Sequence, residues 1–486
     1  MKKWFSRLLS NTFGGQSKKI KTTRHDVHRA HHLQDGLIEP KVFSGDDCLI
    51  DRSKIASYAI STVKTLKDAG FEAYVVGGAV RDLLLGLEPK DFDVATSAHP
   101  EQVLKLFRRA RLIGRRFQIV HAYFGRDIVE ISTFRAAIQD NVLTDQHGRV
   151  LADNQFGSIE SDAARRDLTI NALYYDPVDH VLLDYTDGVA DIKQKLIRIL
   201  GDPKTRYTED PVRMLRVVRF ASKLGFEIHA DSIAPIAQCA NLLYNVPSAR
   251  LFDEAIKFFT FGRARGSFDL LKQHQLLHFV VPVAQKLYKT EQDWRFVRQA
   301  LDNSDERIAQ QKSVSPGFLF AALLWPPVRT KWQQLLHNGL KPVEALEQAI
   351  SSVVETKLKE IGMTRRFFSD VQVIWQMQPR FERRVGQMPF RMLENPRLRA
   401  GYDFLLLRAQ NQEVPDELAG WWNTFIHEPE QREQCLELAR QSGTTQPSAA
   451  KKRKRKRKPK TNQALDVNSN NTHETKPTAQ EGADQS

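Results

Sequence analysis

The sequence predicts an α+β protein: a head built on a small mixed β-sheet, followed by all-α domains. Three observations predict it. Short β-rich runs separated by turn residues and helical stretches recur between about residues 51 and 200. From about Thr208 onward, apolar residues fall at helical spacing and strand signals nearly vanish. The chain has 486 residues, 41% of them hydrophobic, which is enough for two or three domains with a substantial core.

Residues 1–50 are polar and His-rich, with RHDVHRAHH at 24–32, and read as a disordered leader. The start, MKKWFSRLLSNTF, has too short an apolar stretch for a signal peptide. Trp4, Phe5, Leu8 and Leu9 would share one side of a small amphipathic helix, the alternative to a disordered leader. The head spans 51–200. Its strand-like runs are AYVVGG, FDVAT, FQIVHAYF, DIVEIST, NALYYDP and HVLLDYTDG. The polar segment 136–162 reads as a mobile insertion beside the sheet. Residues 201–285 form a helical neck and body, with VRMLRVVRFASKLGF and ARLFDEAIKFFTFG. Residues 286–440 form a further helical region, with FLFAALLWPPV. Residues 441–486 turn to Ser, Thr, Gln, Asn and Lys and read as a disordered basic tail. No internal repeat stands out.

Formal net charge is +14, so a polyanion is the first partner to consider. The block KKRKRKRKPK at 451–460 supplies nine of those charges, and without it the balance would be +5. Cys48, Cys239 and Cys435 show no metal-ligand spacing, which argues for a reducing compartment and against a disulfide framework or a zinc site. No apolar run is long enough to span a bilayer, so the expectation is a cytoplasmic protein without stable membrane insertion.

Three stretches carry chemistry. In GGAVRDLLLGLEPKDFDVAT, Asp91 and Asp93 sit two apart on a strand-like run and so project from one face, with Phe92 and Val94 turned to the core. Paired carboxylates repel unless a proton or cation sits between them, and a divalent metal is the obvious cation. Glu130 in DIVEIST is the best third acid. Such a trio suits a two-metal site, with ions roughly 4 Å apart, one activating a hydroxyl and one holding a triphosphate. Gly77 and Gly78 let a backbone turn approach phosphates, and Arg81 adds a charge-assisted contact. Taken alone, Asp91 would equally cap a turn and the glycines serve a tight bend. In RRDLTINALYYDP, Arg166 is a candidate phosphate ligand, and Asp167 and Asn171 are the right types to bond a ribose hydroxyl. The alternative is an N-cap at Asp167 and a satisfied internal amide at Asn171. In TEDPVRMLRVVRF, Asp210-Pro211 has the form of a helix start, and Arg213, Arg216 and Arg219 recur every three residues along one face. Asp210 and Arg213 offer an acceptor and donors in one plane, and Arg216 would face phosphates. A capped helix with an i, i+3 salt bridge is the alternative.

Taken together and in this order, GGAVRD…KDFDVAT, VEISTFR, RRDLTINAL and EDPVRMLRVVRFASKLGF resemble the class II nucleotidyltransferases, which include tRNA CCA-adding enzymes and bacterial poly(A) polymerases. The match is dense over about residues 50–280, including PSARLFDEAIKFF. The resemblance implies a nucleotidyltransferase head with a metal-binding DxD at Asp91 and Asp93. It places Asp167 among the essential carboxylates, together with Asn171 in a ribose-recognising motif, and makes Asp210 and Arg213 the amino-acid template for the incoming base. Glu130 matches the acidic position on the neighbouring strand. LIGRRFQIVHAYFG, at 112–125, resembles the signature that separates bacterial poly(A) polymerases from CCA-adding enzymes, and contains Arg115 and Arg116.

The expected activity is template-independent addition of AMP from ATP to RNA 3′ ends, with two Mg²⁺ ions, marking RNA for decay. Asp91, Asp93, Asp167 and Glu130 would form the catalytic set, with Asp91 and Asp93 on the metals. Gly77, Gly78, Arg81, Arg166, Asn171, Asp210, Arg213 and Arg216 would bind the nucleotide. RNA would be held by Arg115, Arg116 and the tail residues Lys451, Lys452, Arg453, Lys454, Arg455, Lys456, Arg457 and Lys458, with RNA-decay factors as further partners. The rival readings are CCA addition to tRNA and an inactive RNA-binding protein of the same fold.

Overall fold

The computed structural model describes residues 39–114, 118–136, 155–282 and 288–441. The strands of the head are β1 (Lys41–Ser44), β2 (Ala73–Val76), β3 (Phe92–Thr96), β4 (Ala110–Ile113), β5 (Ile119–Phe124), β6 (Asp127–Thr133), β7 (Leu173–Asp176) and β8 (Val181–Asp184). They form one eight-stranded sheet in the order β1-β8-β7-β2-β3-β6-β5-β4. The sheet is mixed: β3 and β6 run parallel and the other pairs are antiparallel. A parallel neighbour needs a crossover. Here it is the segment from β3 through a short helix, β4 and β5 to β6.

Numbering only helices of seven residues or more, α1 (Ser57–Asp68), α2 (Gly78–Leu84) and α3 (Pro100–Leu106) pack on one face of the sheet. That face buries Phe92, Val94, Val129 and Ile131, and Tyr58 of α1 meets Phe92 edge-on at 6.0 Å. α2 is short because Gly86 adopts a φ of +72° just beyond it, with Pro89 following. On the opposite face α4 (Ile159–Arg165) covers part of the sheet. There Val76, Ala95, Phe134, Ile159, Ala163 and Tyr174 make a second, smaller core. α4 starts inside the stretch expected as a mobile insertion, so that expectation fails over 159–162; residues 137–154 lie outside the described set. The expected disordered leader also ends early. β1 pairs with β8, and Cys48 and Ile50 are buried in the head.

Beyond the sheet come α5 (Gly188–Gln194), α6 (Pro203–Glu209), α7 (Val212–Leu224), α8 (Ser248–Phe259) and α9 (Ala264–Gln273). They are followed by α10 (Glu291–Ala309), α11 (Pro316–His337), α12 (Pro342–Val353), α13 (Arg365–Phe381), α14 (Leu398–Gln410), α15 (Asp416–His427) and α16 (Arg432–Gln441). The main core runs unbroken from the head through these helices to Phe404 and Leu407. A separate cluster around Met377, Phe381, Trp421, Trp422 and Phe425 closes the far end. The two clusters meet within α13 and α14. Among the described residues no helix is long and apolar enough to cross a membrane.

Candidate active site

β3 carries Asp93 at the middle of the sheet. Phe92 and Val94 are buried, while Asp91 and Asp93 face solvent. Register sets Glu130 of β6 directly beside Asp93, and Val76 of β2 on its other side. β2 then runs into Gly77, whose φ of +72° and ψ of −129° suit only glycine. A Cβ on Gly77 would lie 3.6 Å from Arg166 Nη1 and 3.9 Å from Asp93 Oδ2. The glycine turn, Asp93 and Arg166 therefore meet at one point.

The Asp93 carboxyl is pushed up to about 6, first by the surrounding protein that displaces water, then by Glu130 and Asp91, against a lowering pull from Arg166. Asp93 keeps an exposed face, so the contribution from its acidic neighbours is the one a bound cation would reverse. This surplus of negative charge fits a divalent cation held by Asp91 and Asp93. Glu130 does not close a three-acid cage: its Oε1 lies 3.4 Å from His121 Nε2, and among the described residues no group of three or more His, Cys, Asp or Glu side chains could hold an ion.

Arg166 follows α4, which aims it across the cleft. Its guanidinium donates to Asp162 Oδ2 at 2.9 Å and to the Tyr174 hydroxyl at 2.9 Å. Burial would raise the Asp162 carboxyl, yet Arg166 and Arg135 hold it below its usual range. Next in the chain, Asp167 accepts from Arg216 Nε at 2.6 Å and from Asn171 Nδ2 at 3.3 Å. Burial opposes ionisation here too, but Arg216 and Asn171 bring the Asp167 carboxyl down to about 2. Asn171 Oδ1 accepts from Arg81 Nη1 at 2.7 Å, and Arg81 also grips Asp82. The result is one continuous network, Asp82–Arg81–Asn171–Asp167–Arg216, that ties α2 to α7. The turn bearing Asn171 is fixed from behind by Gly188, where a Cβ would approach Thr169 O to 2.3 Å.

Two expected placements differ, and one alternative reading fails. Arg81 is buried under the glycine turn instead of projecting into the cleft, because Asp82 and Asn171 bind its guanidinium and Phe220 lies 5.0 Å beneath it. Arg216 pairs with Asp167 rather than standing free for phosphates. The i, i+3 salt bridge of the capped-helix alternative does not form between Asp210 and Arg213. Asp210 takes a two-pronged bond from Arg250, at 2.9 and 2.7 Å, while Arg213 donates to Glu209 at 2.6 Å. Although burial opposes it, the Arg250 pair holds the Asp210 carboxyl below its usual range. Asp210 also caps the start of α7 through Val212 N at 3.3 Å.

Several residues of this site were not singled out from the sequence. Asp162 and Tyr174 orient Arg166. Arg250 holds Asp210, and Glu254 binds Arg219 at 3.1 Å. Arg250 and Glu254 share one face of α8 at the i, i+4 spacing in PSARLFDEAIKFF, the only signal that could have found them. Phe220 is a flat floor for three guanidiniums, Arg81, Arg216 and Arg219, with ring-centre distances of 5.0, 6.0 and 4.5 Å. Arg115, Arg116 and Lys451 to Lys458 lie outside the described residues.

Comparison with known proteins bears on this geometry. Residues 73–198 match the family described as "Poly A polymerase head domain". Residues 225–287 match "Probable RNA and SrmB- binding site of polymerase A", and 338–460 match "Polymerase A arginine-rich C-terminus". The chain is 43% identical over 391 residues to a poly(A) polymerase I of Haemophilus influenzae, covering 78% of this chain and 86% of that one. A CCA-adding enzyme of Lactobacillus helveticus is 38% identical over 230 residues, covering 47% of this chain and 56% of that one. Among solved structures, a tRNA-processing enzyme in an apo form shares the fold, with a TM-score of 0.53 and 22% identity, covering 80% of this chain and 97% of that one.

Proposed function

As a member of the bacterial poly(A) polymerase I family, the chain is a polynucleotide adenylyltransferase, and we propose that it lengthens RNA 3′ ends with AMP from ATP, without a template, in the cleft between β3 and α7. The observation that carries the site assignment is the meeting of Asp93, the Gly77 turn and Arg166, with Glu130 in register beside them. An RNA 3′-hydroxyl attacks the α-phosphate of ATP in line and pyrophosphate leaves.

The backbone of Gly77 and Gly78 approaches the triphosphate, and Arg166, kept charged and aimed by Asp162 and Tyr174, balances its negative charge. Asp167 and Asn171 face the ribose, and their pairing with Arg216 and Arg81 sets which lone pairs stay available. Asp210, steadied by Arg250, and Arg213 meet the adenine edge, with Arg216 behind them. Divalent cations on Asp91 and Asp93, two Mg²⁺ in this reading, would neutralise the phosphates and lower the pKa of the attacking hydroxyl. Glu130 orients this acidic group. The basic tail at 451–458 and the helical regions hold RNA, and the tails made would mark cytoplasmic RNA for decay, with decay factors as partners.

CCA addition is the second reading, favoured only by the shared fold and the shorter match to a CCA-adding relative. The test is a tRNA lacking its 3′ end, offered each labelled nucleotide separately with Mg²⁺. Long tails from ATP alone support the proposal. Addition of two C residues from CTP alone, completed by a single A and a stop when CTP and ATP are supplied together, would replace it with the second reading. No incorporation of any nucleotide would leave an RNA-binding protein.

A further inference from the structure

Four polar side chains stand in one row across four strands. Register pairs Arg111 of β4 with His121 of β5, His121 with Glu130 of β6, and Glu130 with Asp93 of β3. Cross-strand partners share a face, so all four project from the cleft side of the sheet. Strand alternation puts Ile113, Tyr123 and Ile128 on the same side, flanking the row. Ile113 is 39% exposed and Ile128 is 42% exposed. His121 and Tyr123 are half-buried, and their rings meet edge-on at 6.5 Å. Arg108 and Arg109 before β4, and Arg126 in the β5–β6 turn, are exposed around it.

The nucleotide cleft described above uses none of these residues except Glu130 and Asp93. An open sheet face normally shows polar side chains to water. This one shows isoleucines and aromatic rings, fringed by guanidiniums, and it ends at the carboxylates. Aromatic faces for bases and cations for the backbone are what single-stranded RNA requires, and neither depends on base identity. The row covers three interstrand steps, roughly 14 Å at about 4.8 Å each, which is longer than a single phosphate contact needs.

We propose that this face of β4–β6 is the track for the RNA 3′ end. The terminal bases stack on Tyr123 and His121 against Ile113 and Ile128, Arg111 engages the backbone, and the 3′-hydroxyl is delivered at Asp93. The proposal rests on the reading of RNA as the substrate. Tyr123, His121 and Arg111 are positioning residues. Because stacking is tolerant of sequence, the track would admit varied RNA ends rather than one tRNA shape.

The test uses the full chain. An RNA oligomer carrying 4-thiouridine next to its 3′ terminus is bound without ATP, irradiated, and the crosslinked peptides are mapped. Crosslinks within residues 111–128 are expected. Crosslinks confined to the helical regions or the tail would overturn the track, and no variant is needed to see them. In steady-state assays, Tyr123→Ala should raise KM for RNA about tenfold or more, the order of one lost base stack, with KM for ATP unchanged. Tyr123→Phe should keep the wild-type value. An alanine variant that shifts both KM values equally, or a phenylalanine variant that fails to rescue, would reduce Tyr123 to a packing role and overturn the proposal. Should the wild-type protein add no AMP, the activity reading fails while the crosslinks still decide the track.

Discussion

At the residue scale, Asp93 records the character of the cleft. Its carboxyl is pushed up to about 6 from an ordinary value of about 4 by burial and by Glu130 and Asp91. A carboxyl raised on folding costs stability once ionised, so the penalty grows as pH rises through about 4 and is complete above about 6. Asp93→Asn removes it. The variant should melt no lower than wild type at pH 7.5, and acidification from pH 7 to 5 should help wild type more than the variant; thermal unfolding at the two pH values checks this. Arg250 offers a second test. It holds Asp210 by two charge-assisted bonds and touches no acid of the β3–β6 group. Arg250→Ala should raise KM for ATP about tenfold, the order of one lost charge-assisted hydrogen bond, with KM for RNA unchanged. The acids themselves were legible in the sequence, because period-two alternation around Phe92 and Val94 fixes the face of Asp91 and Asp93. Their partners were not. Arg250 lies 40 residues from Asp210, and Arg216 lies 49 residues from Asp167. No local pattern reports a pairing made by tertiary packing.

At the element scale, the network through Arg81, Asn171, Asp167 and Arg216 joins α2 to α7. It makes the relative placement of sheet and neck depend on charge. Asp167 is held down to about 2, so its contribution to stability is present above about 4 and is lost as pH falls toward 2. Arg216→Met leaves that buried carboxyl with Asn171 and the Leu168 backbone N–H but without its closest cation. Its pKa should rise by about one unit or more, and acid unfolding should begin at correspondingly higher pH, followed by circular dichroism. An unchanged acid limb would remove Arg216 from that role. Strand and helix types in the head could be read from alternation and from glycine punctuation. Element limits were less legible. β1 is only four residues of mixed polarity, and nothing but its pairing with β8 makes it a strand. α11 continues through Pro326 and Pro327, where local rules stop a helix. Trp325 and Trp332 flank the prolines and are buried on packed neighbours, so tertiary contact outweighs the lost backbone bonds.

At the scale of the whole molecule, an α+β head followed by helices was plain from the change in periodicity near Thr208. The divisions within the helical part were not, because one core runs from the sheet to α14 and only its end carries a separate cluster. Charge is also distributed at this scale. The block at 451–460 carries nine positive charges beyond the last described helix, which ends at Gln441. Deleting residues 442–486 should weaken binding to an RNA oligomer and flatten the dependence of log affinity on log salt by several contacts' worth. A variant with the wild-type slope would show that the tail does not touch phosphates.

The most direct measurement pairs the wild-type chain with Asp93→Asn on an RNA oligomer unrelated to tRNA, with Mg²⁺ and labelled ATP. Wild type should give a long ladder of added A residues. The variant should lose about a hundredfold or more of this activity, with its melting temperature kept. A variant that extends this RNA as well as wild type, or a wild type that leaves it without a ladder, would be the contradictory result.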